Sequence, residues 1–107
     1  MQHRELAQGG WQRLSFIEQM ANIGSEVERA ISWKKKNADY AQLAFDRSLE
    51  LIDLTISDSK NIYRLKEIIR IREALTDFFI FDNIYNTSDK FWCDYFLAFT
   101  YAARIDK

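Results

Sequence analysis

Three carboxylates share a helical spacing that could do chemistry. Asp46, Glu50 and Asp53 recur at i, i+4 and i+7, which sets them on one side of a helix. Oxygen ligands so placed could share a divalent cation. The same side lies opposite Leu51 and Ile52, however, so the spacing also describes an ordinary solvated face. That is the reading adopted: no metal site and no cofactor. The only histidine, His3, precedes the first expected helix, so the Glu-x-x-His pattern of di-iron bundles is absent. Cys93 has no histidine partner and stands among bulky aromatics, which predicts an inert, partly buried thiol. No glycine-rich phosphate loop, nucleophile elbow or zinc spacing occurs. No catalytic residue is assigned, and a non-enzyme is expected.

Two further groupings carry charge. Trp33, Lys34, Lys35 and Lys36 place an aromatic ring beside three cations, the chemistry of single-stranded nucleic-acid contact. Cations in the last turn of a helix also complement its dipole and cap its carbonyls. The capping role is favoured, with a nucleic-acid or ligand-binding accessory role as the alternative. Arg72 falls on the stripe Leu65, Ile68, Leu75 and Phe79, and a guanidinium there demands a partner. Glu28 and Arg47 also interrupt apolar faces. Together they suggest an internal polar network of Glu28, Arg47 and Arg72, with Glu28 as the acceptor for Arg72. An internal salt bridge that fixes helix register is expected, and a polar ligand pocket near Arg72 is the alternative.

The elements that must hold these residues are helices. The chain has 107 residues, no proline and three glycines, too little punctuation for a strand-and-turn fold. Its 48% hydrophobic content suffices for a core without metal or disulfide, and its length fits a single domain over residues 1–107. Residues 1–10 read as a flexible or loosely packed N-terminus. With 15 Lys+Arg against 16 Asp+Glu, the net charge of -1 implies no broad nucleic-acid surface. One cysteine, no apolar leader and no run near the ~20 residues of a membrane span point to a cytoplasmic protein that avoids membranes.

Periodicity predicts four helices, at about 11–35, 39–57, 60–81 and 88–105. Gly24 lies on the apolar side of the first, where it predicts close approach of another helix. Ser57, Asp58 and Ser59 separate the second and third, and Thr87 or Ser88 caps the last. Phe91, Trp92, Tyr95, Phe96, Phe99 and Ala102 form its inner face. Short loops favour antiparallel neighbours, so the fold class is all-α, an up-down-up-down four-helix bundle. Leu97 and Tyr101 point away from the inner face, and Phe78 lies at the margin of the third helix's face. Surplus apolar surface marks an interface, so a homodimer or protein partner is expected through Phe78, Leu97 and Tyr101.

The segments Asn22–Arg29, Ala44–Asp53 and Leu65–Glu73 resemble small uncharacterised bacterial all-helical proteins, and the resemblance covers nearly the whole chain. More loosely, the chain is similar to the helical-bundle group called HEPN, which includes ribonuclease toxins and partners of nucleotidyltransferases. Active members carry an Arg followed a few residues later by His. Here no His follows Arg29, Arg47, Arg64, Arg70, Arg72 or Arg104. The resemblance therefore implies a non-catalytic, partner-binding relative.

Overall fold

Three of the four α-helices start where a side chain takes the exposed N–H groups of the first turn. A computed structural model describes residues 9–105. The expected loose N-terminus at 1–10 and His3 lie outside these residues, except for Gly9 and Gly10. Helix α1 spans Phe16–Trp33 and opens with a reciprocal capping box. Ser15 Oγ accepts from Glu18 N at 3.1 Å, and Glu18 Oε1 accepts from Ser15 N at 2.9 Å. This corrects the helix expected from Trp11: Trp11–Arg13 form a separate 3-10 turn, and Leu14 is extended. Helix α2, Ala38–Ser57, is capped by Asn37, whose side chain accepts from Asp39 N and Tyr40 N. Helix α4, Asp89–Ile105, begins after Ser88, whose hydroxyl accepts from Phe91 N at 3.1 Å.

The helix expected over 60–81 is divided. Ser59–Arg64 form a 3-10 helix, and α3 runs only from Leu65 to Phe79. Local side-chain bonds compete with the α-helical ladder here. Asp58 accepts from Lys60 N, and the Asn61 amide turns inward. The protein is all-α, with four α-helices and no strand among the described residues.

The core joins Met20, Ile23, Val27 and Ala30 of α1 to Phe45, Leu51 and Ile52 of α2. Ile68 and Leu75 of α3, Trp92 and Phe96 of α4, and Trp11 complete it. Gly24 meets the expectation of close approach: a Cβ built on it would stand 2.5 Å from Phe96 Cβ. The closest backbone pairings are α1 with α2, α1 with α4, and α2 with α3. Helices α3 and α4 are not so closely paired, and this edge of the bundle stays open.

A buried polar layer ties the N-terminal turn to the helices. Trp11 Nε1 donates to Thr55 Oγ1 at 3.0 Å. The Gln19 amide donates to Trp11 O at 3.1 Å and to Asp58 Oδ2 at 2.9 Å. Asn61 Nδ2 donates to Gln19 Oε1 at 2.9 Å and to Thr55 O at 3.0 Å. Lys60 Nζ bonds Asp58 from the solvent side. No buried side-chain polar atom is left unsatisfied among the described residues. A complete network of this kind favours one arrangement of its parts, since any lost member strands the others. Burial pushes the Asp58 carboxyl up, but the bonds from Lys60 and Gln19 outweigh it and hold the group below its ordinary value.

Candidate functional site

The open edge between α3 and α4 holds a concavity of about 690 Å³, walled by Arg64, Lys66, Glu67, Arg70 and Tyr95. A second dent of about 360 Å³ continues it, over Ile71, Ala74, Phe91 and Trp92. Arg70, Ile71 and Tyr95 line both, so the two form one groove. Its aromatic wall is stiff. Phe91 stacks on Tyr95 at 6.4 Å, and Trp92 packs edge-on to Phe91 at 5.0 Å. Trp92 Nε1 donates to Thr87 Oγ1 at 2.9 Å. Tyr95 Oη crosses the groove to Glu67 Oε2 at 3.1 Å. Burial and the Glu67 carboxylate push the Tyr95 phenol well above its usual range, so it stays neutral and donating.

The α3–α4 loop forms one end of the groove and is rigidly held. Asp77 is buried and accepts from Ile84 N at 2.9 Å and Tyr85 N at 3.0 Å. The Asn83 side chain accepts from Thr87 N at 3.0 Å and donates to Thr87 O at 2.9 Å. Asn83 and Asn86 take left-handed φ values of 54° and 55°, which asparagine tolerates better than most residues. The loop therefore presents Phe81, Ile84 and Tyr85 to solvent on a fixed frame. The sequence marked this stretch as a loop, but Asp77 was missed as its anchor. The signal was there: a carboxylate in the last turn of a helix opposes the dipole unless it has other work.

The outer side of α4 is the second apolar surface. Leu97, Tyr101 and Ile105 succeed one another at i, i+4 and i+8 and are 59%, 66% and 61% exposed. Ile105 extends the stripe beyond the two residues the sequence singled out. Phe78, the third expected interface residue, does not belong to it. Phe78 is half-buried against the core, and the Lys34 ammonium lies 4.5 Å over its ring.

The expected Glu28–Arg47–Arg72 network is corrected. Arg72 sits at the edge of the buried stripe Ile68, Ile71 and Leu75, and its long side chain carries the guanidinium outward. Arg72 Nε donates to Asp53 Oδ1 at 2.8 Å on α2, and the Arg72 side chain is 39% exposed. Glu28 is exposed on α1, where it and burial help raise the Cys93 thiol above its ordinary value, burial being the larger cause. Arg47 is half-buried and joins neither. The carboxylates Asp46, Glu50 and Asp53 are all exposed, with Gln42 bonded to Asp46. Among the described residues no cluster of three His, Cys, Asp or Glu could hold a metal ion.

The Trp33–Lys36 grouping is dispersed by its own contacts. The Trp33 ring packs edge-on to Tyr40 at 5.1 Å. Lys34 Nζ bonds Asp89 Oδ1 at 2.6 Å, which ties the end of α1 to the start of α4. Lys35 and Lys36 remain exposed. None of the described helices is long and apolar enough to cross a membrane. No family model, curated protein or solved structure matches this chain.

Proposed function

We propose that this chain is a non-enzymatic protein-interaction module that self-associates through the outer face of α4. The carrying observation is the stripe Leu97, Tyr101 and Ile105, three large apolar side chains in register on α4. Lone exposed apolar residues need no explanation, but three on successive turns form a strip that another helix can cover. Two-fold pairing of α4 with its copy is the simplest closed solution, because one strip then covers itself. Ala98, also exposed on α4, flanks the strip. A non-catalytic, partner-binding relative of the HEPN group fits the same reading, as does a cytoplasmic setting with a single thiol.

Sedimentation over roughly 1–200 µM tests it, a range in which biological interfaces of standard size are populated. The wild-type chain is expected to pass from monomer to dimer. Leu97→Glu with Tyr101→Glu is expected to weaken the dimer by at least about 100-fold, since each buried charge costs several kcal/mol. A wild-type chain that stays monomeric throughout, or a double variant that dimerises equally well, overturns the proposal.

A further inference from the structure

The groove between α3 and α4 is divided along its length in a way that defines an occupant. Lys66 and Arg70 stand one helical turn apart on α3 and form a ridge of cations along one lip. Ile71 and Ala74 form the furrow beside it, and Trp92 and Phe91 close the far wall. Glu67, the acidic residue of this wall, already accepts from Tyr95 and lies 3.8 Å from Arg64. Lys66 and Arg70 make no ion pair among the described residues. A chain with net charge -1 thus keeps an uncompensated pair of cations beside an apolar dent.

We propose that this groove receives an acidic amphipathic helix from a partner protein. One large apolar side chain of that helix would fill the dent over Ile71, Ala74 and Trp92. Carboxylates at i and i+4 on the flank of the same helix repeat at the spacing of Lys66 and Arg70 and meet them directly. The charge pairs set orientation and capture rate, and the buried apolar anchor holds the complex.

A second copy of this chain does not fit as the occupant. On a second copy, the exposed strip of α4 carries the internal pair Lys90–Asp94 and no acidic excess, and the exposed carboxylates Asp46 and Asp53 of α2 are already bonded to Gln42 and Arg72. Single-stranded nucleic acid fits less well. The dent is lined mainly by apolar groups, and the cations occupy one lip alone rather than tracking both sides. The inference rests on reading the chain as an interaction module but uses a different face from the α4 strip.

The test is selection from a random 16-residue displayed-peptide library, followed by fluorescence anisotropy on the enriched peptides. A 12-nucleotide uridine RNA serves as the competing probe. Enriched peptides are expected to carry apolar residues at helical spacing flanked by Asp or Glu. They are expected to lose about tenfold or more in affinity against Arg70→Glu, a change at an exposed residue that leaves the circular dichroism spectrum unaltered. Ala74→Glu, which puts a charge into the dent, should abolish binding. No enrichment, enrichment of neutral or basic peptides, binding indifferent to Arg70→Glu, or RNA binding that Arg70→Glu removes each overturns the proposal. The Leu97→Glu, Tyr101→Glu variant separates the two surfaces: it should lose self-association and keep peptide binding. Peptide binding lost together with dimerisation would place the peptide on α4 and overturn the groove assignment.

Discussion

Replacing Gly24 by alanine sets two well-known effects against each other at one position. In a helix interior the exchange is worth roughly 1 kcal/mol in favour of alanine. Gly24 lies well inside α1, so propensity alone predicts a more stable protein. Packing predicts the reverse. The new Cβ would stand 2.5 Å from Phe96 Cβ, 2.8 Å from Phe96 Cγ and 3.0 Å from Phe96 Cδ1. Carbon atoms rest at about 3.5–4.0 Å, so α1 and α4 would have to separate by ~1 Å. The nearest atom is a Cβ fixed to the α4 backbone, and no side-chain rotation relieves the contact. Overpacking of this kind costs about 1–3 kcal/mol, and here it also loosens Phe96 and Trp92, both fully buried. Because the clash is with a backbone-fixed atom, the cost lies at the upper end of that range, about 2–3 kcal/mol, and less the gain of about 1 kcal/mol it leaves a net loss of about 1–2 kcal/mol, which lowers the melting temperature by about 4–8 °C per kcal/mol. Urea unfolding followed by circular dichroism should show a lower midpoint with an unchanged slope. Ser25→Ala, next in the chain but exposed, should be neutral or slightly stabilising. Phe96→Leu should not rescue Gly24→Ala, because leucine keeps the offending Cβ. A Gly24→Ala midpoint equal to or above wild type would refute the packing argument.

Other perturbations follow from the same structure. Gln19→Leu strips partners from Asn61 Nδ2, Asp58 Oδ2 and Trp11 O at once, and should cost about 2–4 kcal/mol in urea unfolding; a loss under about 1 kcal/mol contradicts the network. Arg72→Met should change stability by no more than about 1 kcal/mol, since the pair with Asp53 is half-exposed; a loss above about 3 kcal/mol would restore a buried ion pair. Tyr95 should ionise at a pH well above that of an ordinary tyrosine in an ultraviolet titration. Its raised phenol contributes stability that is complete below about pH 10 and is lost as pH rises further, a loss that Tyr95→Phe should remove. Asp58 has the opposite sign: its lowered carboxyl contributes stability present above about pH 4 and lost as pH falls below that, and Asp58→Asn should flatten the acid limb of the profile.

The sequence was legible where one physical rule acted alone. Of Thr87 and Ser88, both able to cap the last helix, Ser88 does so. Gly24 on an apolar face meant close approach, and Phe96 is what approaches. Reading failed where a long side chain or an amide could choose its direction. Arg72 is placed near the apolar stripe by its Cα, but its guanidinium travels outward to an exposed carboxylate. Asp53 lies on the solvated face, where periodicity gives no sign that it receives an arginine from another helix. Gln19 lies one residue from Met20 on the buried side of α1 and is itself fully buried. Its value is apparent only once Asn61 and Asp58, some forty residues away, stand beside it. Side-chain networks joined across that distance leave no periodic trace.

The same limit explains why the groove was not foreseen. Periodicity reports how each helix divides into buried and exposed sides, and a bundle closed on all edges was its natural extension. Closure is set instead by the bulk between helices. Between α1 and α4 that bulk is Gly24, and the backbones meet. Between α3 and α4 it is Trp92, Tyr95 and Phe91, rings too large for the helices to close over. The 3-10 segment and the Asp77-anchored loop then hold the two ends of α3 in place. The high aromatic content, 15%, thus builds more than a core: on one edge it props the bundle open and lines what it opens. Filling that edge should be felt as stability. If Phe91→Ala raised the unfolding midpoint, α3 and α4 would be closing over the smaller side chain and the rings would be a strain on the fold. If it lowered the midpoint, as the stacking on Tyr95 and Trp92 requires, the groove is a built feature of the bundle.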